Sequence, residues 1–249
     1  MRHLTHAIAV TAAFAFGLAG PVTAADEGPT VVELFTSQSC YSCPPAEAFL
    51  GELSGRADVV ALEFHVDYWN DLVYGFAGKW KDVFSAPEFT RRQQDYNLAI
   101  RRTASVYTPQ MVVDGRADVA GSRRDDVFAA IEHQQATARP RVRVTVSEAP
   151  VGGLKVALGG DAPAAARVLL VRFLGAHVTE VRSGENKGKT LTNTHVVREV
   201  RAIGEWQGRS ITLDVPRAAP APGEGCAVLV QAAPAGPILG AAACPTPAT

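Results

Sequence analysis

The chain has 249 residues, 47% of them apolar, and a formal net charge of −1 at neutral pH. That length and apolar share supply one large or two modest packed domains. So balanced a charge gives no electrostatic reason to expect nucleic acid or a membrane surface as a partner.

Residues 1–25 read as a secretory signal. One arginine precedes an apolar run from Ala7 to Ala19, and the small residues Val22 and Ala24 follow in the pattern of a cleavage site. The apolar run is too short to span a bilayer, and no cysteine follows it to carry a lipid. The mature chain is expected to be periplasmic or secreted, with no membrane contact after cleavage.

The next stretch, VVELFTSQSCYSCPP over residues 31–45, is a short apolar strand, a polar turn, Cys40-Tyr41-Ser42-Cys43 and two prolines. Proline suits a first helical turn, where its missing N–H would be unpaired anyway. Ala46, Phe49, Leu50 and Leu53 recur at helical spacing and Gly55 stands where the helix should stop, which predicts a helix over 44–54. Carried backwards, the apolar stripe includes Cys43, while Cys40 lies on the turn ahead of the helix. Cys40 is therefore expected to be exposed over the positive helix end and Cys43 to be shielded behind it. That asymmetry suits disulfide exchange, in which an outer thiolate attacks and an inner one resolves. Spacing alone leaves other readings open: an inert structural bridge, half of a zinc site, or a soft dithiolate for copper(I). No second CxxC exists and the nearest histidine, His65, ends a strand, so no residue is assigned to a metal.

Val59–Val66 (VVALEFHV) is too apolar for a one-sided surface strand and should pair in parallel with the first, through the helix between them. His65 reads as a satisfied structural histidine, and Asp67 as a cap for the next segment. Residues 68–105 hold Tyr68, Trp69, Tyr74, Phe76, Trp80, Phe84, Phe89 and Tyr96. They are expected to form an inserted helical subdomain with its own aromatic core. The alternative is a peptide-gripping groove rimmed by Arg91, Arg92, Arg101 and Arg102. Ser85 to Glu88 has the form of a capping box, opening a helix over 86–102. Tyr107 to Gly115 reads as a proline-led strand entering a hairpin at Asp114-Gly115, returning over 116–120. A helix over 122–135 comes next, with Val127, Ala130, Ile131 and Gln134 on one side.

This order of strand, CxxC helix, strand, inserted helices, proline-led strand, hairpin and helix resembles the thioredoxin fold over roughly residues 30–137. The resemblance implies that Cys40 is the nucleophile and Cys43 the resolving thiol. It places Thr108 and Pro109 at the family's cis-proline position, which together with Tyr41 and Ser42 would bind substrate. It also implies that no dissociable cofactor is needed, because the disulfide carries the two electrons, and that the partners are protein or peptide thiols and possibly a redox partner protein. The sequence departs from thioredoxin in having Tyr-Ser between the cysteines and no tryptophan before Cys40. The family's buried proton-shuttling acid has no secure match; Glu33 is nearby but one residue out of phase. The runs ELFTSQSCYSCPPAEAFL and YTPQMVVDGR also resemble a family of secreted bacterial thioredoxin-like proteins of uncharacterised function.

From Pro140 onward the texture becomes that of an antiparallel β-sandwich-like domain over 140–249, against an α/β domain over 26–139. Strands are predicted at 141–146, 154–158, 168–173, 196–201, 211–215 and 227–231. Residues 183–189 read as a mobile hairpin tip or else an interaction loop, and His195 and Trp206 as packing residues. Outside the cytosol all four cysteines can be oxidised. Cys226 and Cys244 lie symmetrically about Ala235, and Pro234-Ala235-Gly236 reads as a hairpin loop with its glycine left-handed, so these two should face each other as a structural disulfide. The second domain would orient a partner or mediate dimerisation. Taken together, the sequence points to an exported thiol–disulfide oxidoreductase. A non-catalytic binding module on a thioredoxin scaffold and a copper-binding thiol protein are the alternatives.

Overall fold

Seven consecutive buried residues, Thr30–Thr36, form strand β1 at the centre of the molecule. The computed structural model describes residues 28–72, 77–137, 141–160, 165–232 and 235–246. Residues 1–25, expected to be a signal, and Tyr74, Phe76 and Pro234 lie outside them. Helix α1 (Pro44–Ser54) comes after β1 and returns the chain to β2 (Val59–His65), which pairs in parallel with β1 from Thr30↔Val59 to Thr36↔His65. Both strands are buried throughout, as their predominantly apolar sequences require of a sheet covered on both faces.

On the other side of β1 lies β3 (Gln110–Val113), antiparallel, with β4 (Ala117–Ala120) beyond it. The turn between them has positive φ at both Asp114 (49°) and Gly115 (63°), the backbone that a tight hairpin demands. Alternation along β1 divides its neighbours. Val32 and Leu34 face α1 and helix α3 (Arg124–Ala136) in a core with Phe49, Leu50, Leu53, Met111, Val127 and Ile131. Val31 and Phe35 face the opposite way, toward Phe89 and Tyr96 of helix α2 (Pro87–Arg101). Each of the large apolar side chains that α1 buries contributes roughly 1.5–3 kcal/mol.

Among the described residues, the inserted region does not build a core of its own. It is a 3₁₀ turn at Tyr68–Asp71 and α2, and Phe89, Tyr96, Tyr68 and Trp69 all pack into the central core. Of the arginines expected to rim a groove, Arg92 instead points inward and pairs with Glu33 at 2.8 Å. Nor does the Ser85 capping box form: its hydroxyl donates to Asp82 O, and Ala86 is the residue at the cap position.

The expected boundary near residue 140 is a division in sequence, not a break in the sheet. The molecule is mixed α/β, with one eight-stranded mixed sheet in the order β11-β10-β7-β8-β2-β1-β3-β4 and a three-stranded antiparallel sheet β5-β6-β9. The join is the parallel contact of Glu63 in β2 with Val196 in β8 (Thr190–Trp206). The second sheet comprises β5 (Arg143–Ala149), β6 (Gly153–Gly159) and β9 (Ile211–Val215). It packs Leu154, Val156 and Leu158 in one cluster with Val168, Leu170, Trp206, Val228 and Val230 of the large one, which extends into the first half.

Strands β7 (Ala166–Glu180) and β8 are far longer than the sequence pattern suggests. Their apolar halves cover the core, while the paired residues His177↔Asn193 and Thr179↔Leu191 run on past it. Strands β10 (Glu224–Ala232) and β11 (Ile238–Ala243) form the expected hairpin, with Ala227↔Ala243 and Val228↔Ala242 in register. That register carries Cys226 to Cys244, which are bonded as a disulfide. Among the described residues of its loop the left-handed one is Ala235, at φ 49°, rather than Gly236.

Candidate functional site

The CxxC turn sits where the carboxyl ends of β1 and β2 meet the start of α1. Pro44 and Pro45 begin the helix, and the Ala46 and Glu47 N–H groups both donate to Cys43 O. Cys40 and Cys43 form a disulfide, with Cys40 Sγ 3.3 Å from the Ser42 hydroxyl. Here the structure departs from the exposure expected of Cys40: both cysteines are fully buried, at 0%. Tyr41, by contrast, is 66% exposed.

The register of β3 on β1, with Gln110 opposite Phe35, sets Pro109 next to the end of β1 at the same sheet edge as the CxxC turn. The Thr108–Pro109 peptide bond is cis, Pro109 is buried, and the Thr108 hydroxyl accepts from Trp69 Nε1 at 2.8 Å.

Two segments distant in sequence close over the turn. One is 77–82, in which Trp80 O accepts from Ser39 Oγ and Trp80 Nε1 donates to Gln38 Oε1. The other is 183–189, the tip of the β7–β8 hairpin. Asn186, itself fully buried, donates from Nδ2 to both Gln38 O and Cys40 O at 2.9 Å. Glu185 accepts from the Tyr41 N–H at 3.0 Å, and Lys189 Nζ lies 4.4 Å from the centre of the Tyr41 ring. The hairpin tip expected to be mobile is thus tied down, because its side chains bond to backbone groups of the CxxC turn, among them the buried Gln38 carbonyl.

Beneath the turn lies a buried polar network on the α1 face of the sheet. Thr36 Oγ1 donates to Glu47 Oε1 at 2.7 Å. His65 Nδ1 is 2.7 Å from Asp82 Oδ2 and its Nε2 is 3.1 Å from Glu63 Oε1. Glu63 also accepts from Asn193 Nδ2 and from the Thr194 N–H, and Asp82 from the Gln38 and Phe84 N–H groups. Glu47, Glu63, His65 and Asp82 are each at most 2% exposed.

Burial alone would push the His65 imidazole down, but Asp82 and Glu63 outweigh it and hold the ring well above its ordinary value. It is therefore the imidazolium that donates from both nitrogens. Burial likewise works to raise Asp82, yet the His65 charge and hydrogen bond hold that carboxyl below its usual range. Glu47 differs. Burial, reinforced by Glu63, pushes its carboxyl up to about 8, against the opposing pull of His65 and the Thr36 hydrogen bond. A neutral carboxylic acid at ordinary pH thus sits on the same helix face as Cys43, one turn further along.

Glu33, the acid nearest the motif in sequence, faces away. It pairs with Arg92 and Tyr96 on the α2 side, across the sheet from α1. His65 is the satisfied histidine the sequence suggested, and Asp67 receives the Thr90 hydroxyl without capping a helix by its side chain. His195 packs on Phe173 and Trp206 is buried, as packing residues should be. Sequence reasoning missed Glu47, Glu63, Asp82 and Asn186. Two of these had a signal: Glu47 continues the stripe Cys43-Glu47-Leu50, and Glu63 with His65 interrupts an apolar strand on one face. Asp82 and Asn186 had none, since their roles depend on contacts 44 and 148 residues away. Among the described residues no group of three or more His, Cys, Asp or Glu side chains is arranged to hold a metal ion.

A family model described as "Protein of unknown function (DUF1223)" matches residues 31–231. The chain is also similar to a protein from Agrobacterium tumefaciens solved by X-ray crystallography. The two are 30% identical, with a TM-score of 0.75, over 90% of this chain and 97% of that one. Among curated proteins, none matches.

Proposed function

The chain belongs to the family described as proteins of unknown function, DUF1223, and from that premise we propose that it is an exported thiol–disulfide oxidoreductase acting through Cys40 and Cys43. The observation that carries the reading is Glu47. A bridge that merely staples a turn has no use for a buried acid held near neutral pKa one helical turn beyond its inner cysteine. Burying such a group costs stability, and perturbed buried acids concentrate at sites of proton transfer.

The arrangement suits exchange step by step. A partner thiolate attacks Cys40 Sγ; an S–S bond to the partner forms as the Cys40–Cys43 bond breaks, and the electron pair goes to Cys43 Sγ. Glu47 supplies the proton that neutralises this buried thiolate. A second thiol of the partner, as its thiolate, then attacks the partner sulfur of the mixed disulfide and expels Cys40 as thiolate. Two partner thiols have become a disulfide and two electrons have passed to the CxxC; the reverse sequence reduces a partner disulfide. Tyr41, Ser42, Thr108 and Pro109 would form the wall along which the partner chain lies.

The finer, thioredoxin-like reading draws support from the strand order β2-β1-β3-β4, with α1 and α3 on one face and α2 on the other. Export is in keeping with two disulfides, which persist in oxidising compartments. No helix among the described residues is long and apolar enough to cross a membrane. A second reading, an inert disulfide in a binding module, draws on the complete burial of both cysteines.

Redox titration in glutathione or dithiothreitol buffers, with alkylation and mass spectrometry reporting each cysteine pair, separates the two. Exchange requires Cys40–Cys43 to reduce at about −120 to −270 mV while Cys226–Cys244 stays oxidised; reduction only below about −300 mV makes the CxxC a staple.

A further inference from the structure

Resting on that reading, we propose that residues 183–189 form a gate that must swing away before Cys40 can be attacked, with Asn186 as its latch. Cys40 has no exposed surface, so exchange from the closed arrangement has no route for an incoming thiolate. Of the two segments bonded to its turn, 77–82 holds Gln38 and Ser39, and the β7–β8 tip bonds to Cys40 and Tyr41 themselves. Asn186 Nδ2 bridges Gln38 O and Cys40 O, Glu185 takes the Tyr41 N–H, and Lys189 reaches both Asn186 Oδ1 at 2.9 Å and the Tyr41 ring.

The gate has the construction of a movable piece. Within itself it is braced by the Lys187 N–H to Gly184 O and the Lys189 N–H to Asn186 O, and the Gly188 N–H to Val181 O holds it at its hinge, so it can keep its shape when it lifts. Its attachments to the rest of the molecule are few and polar. Apart from the latch, the Gly184 N–H and the Ser183 hydroxyl both donate to Ala77 O. No large apolar side chain of residues 183–189 is buried in the core, so lifting the tip exposes little apolar surface. Segments held this way open locally at far lower cost than global unfolding.

The latch also occupies the backbone groups an extended partner chain would seek at this turn, the Cys40 carbonyl and the Tyr41 N–H. In the closed form the second half of the molecule thus stands in for the partner. Opening it by one arriving polypeptide, and not by every passing thiol, would keep the disulfide from futile exchange.

The test is the rate of Cys40–Cys43 reduction by dithiothreitol in the full mature protein, followed by alkylation and mass spectrometry, for wild type, Asn186→Ala and Lys189→Met. Asn186→Ala should accelerate reduction roughly tenfold or more by removing two buried hydrogen bonds. Lys189→Met alters an exposed side chain and should accelerate it by a smaller factor, which keeps the test decisive should the first variant fold poorly. Cys226–Cys244 should be unaffected in both. Equal Cys40–Cys43 rates in all three proteins overturn the gate and leave exchange standing. A bond that resists reduction even in the variants overturns the exchange reading, and the gate with it.

Discussion

Asn186 and Cys40 lie 146 residues apart and are joined by a 2.9 Å hydrogen bond from the asparagine side chain to the cysteine carbonyl. This one contact ties the long β7–β8 hairpin to the CxxC turn of the first half. It explains how an α/β unit and a β-rich unit come to share a site as well as a sheet. The geometry around it makes four variants informative.

Gly184→Ala should loosen the same hairpin from a different point. Gly184 has φ +79°, and an added Cβ would stand 3.0 Å from the Trp80 Cβ. The left-handed backbone alone costs a non-glycine residue about 1–2 kcal/mol. The variant should show faster hydrogen exchange across residues 181–190 with little change in α1, read by mass spectrometry.

Glu47→Gln should change how stability depends on pH. The folded state holds this proton more tightly than the unfolded chain. The group's contribution is therefore fully present below the ordinary value of 4.5 and is lost as pH rises through the folded value of about 8. The glutamine can still accept from Thr36 and has no proton to lose. Urea unfolding at a series of pH values should show the variant gaining on wild type between those limits, by at most about 1.4 kcal/mol per pH unit. If Glu47 serves Cys43, the variant's reduction rate should also lose any inflection near pH 8.

His65→Leu should be severe. It leaves Asp82 and Glu63 buried side by side without the cation that both contact. Breaking a buried pair by removing one partner costs roughly 3–5 kcal/mol. Adding Asp82→Asn to His65→Leu should recover part of that loss, measured by chemical denaturation. If the single variant is as stable as wild type, the imidazolium assignment is wrong.

Replacing Cys226 and Cys244 together by serine should lower stability by roughly 3 kcal/mol, the cost of reopening a loop closed at a separation of 18 residues. The same double variant should reduce at Cys40–Cys43 at the wild-type rate, because the second disulfide joins β10 and β11 at the far edge of the sheet. A calorimetric scan and the alkylation assay check the two halves of that statement.

Local chemistry was enough to locate much of this molecule in its sequence. The prolines after Cys43, the i, i+3, i+4 stripe behind them and the predominantly apolar runs of β1 and β2 each encode an element through sterics and burial alone. The Cys226–Cys244 pairing was legible for the same reason: a hairpin fixes register, and register fixes which residues face each other. What only the tertiary structure decided is what those elements meet. What the Cys40 carbonyl meets depends on a hairpin tip more than 140 residues away. Whether Glu33 of β1 joins Glu47 of α1 near the cysteines depends on which sheet face Glu33 occupies. The polar ends of β7 and β8 carried no periodic signal, because they cover a site instead of a core. Hydrophobic patterning records burial against apolar neighbours; contacts between polar groups brought together by a chain crossover leave no period to read.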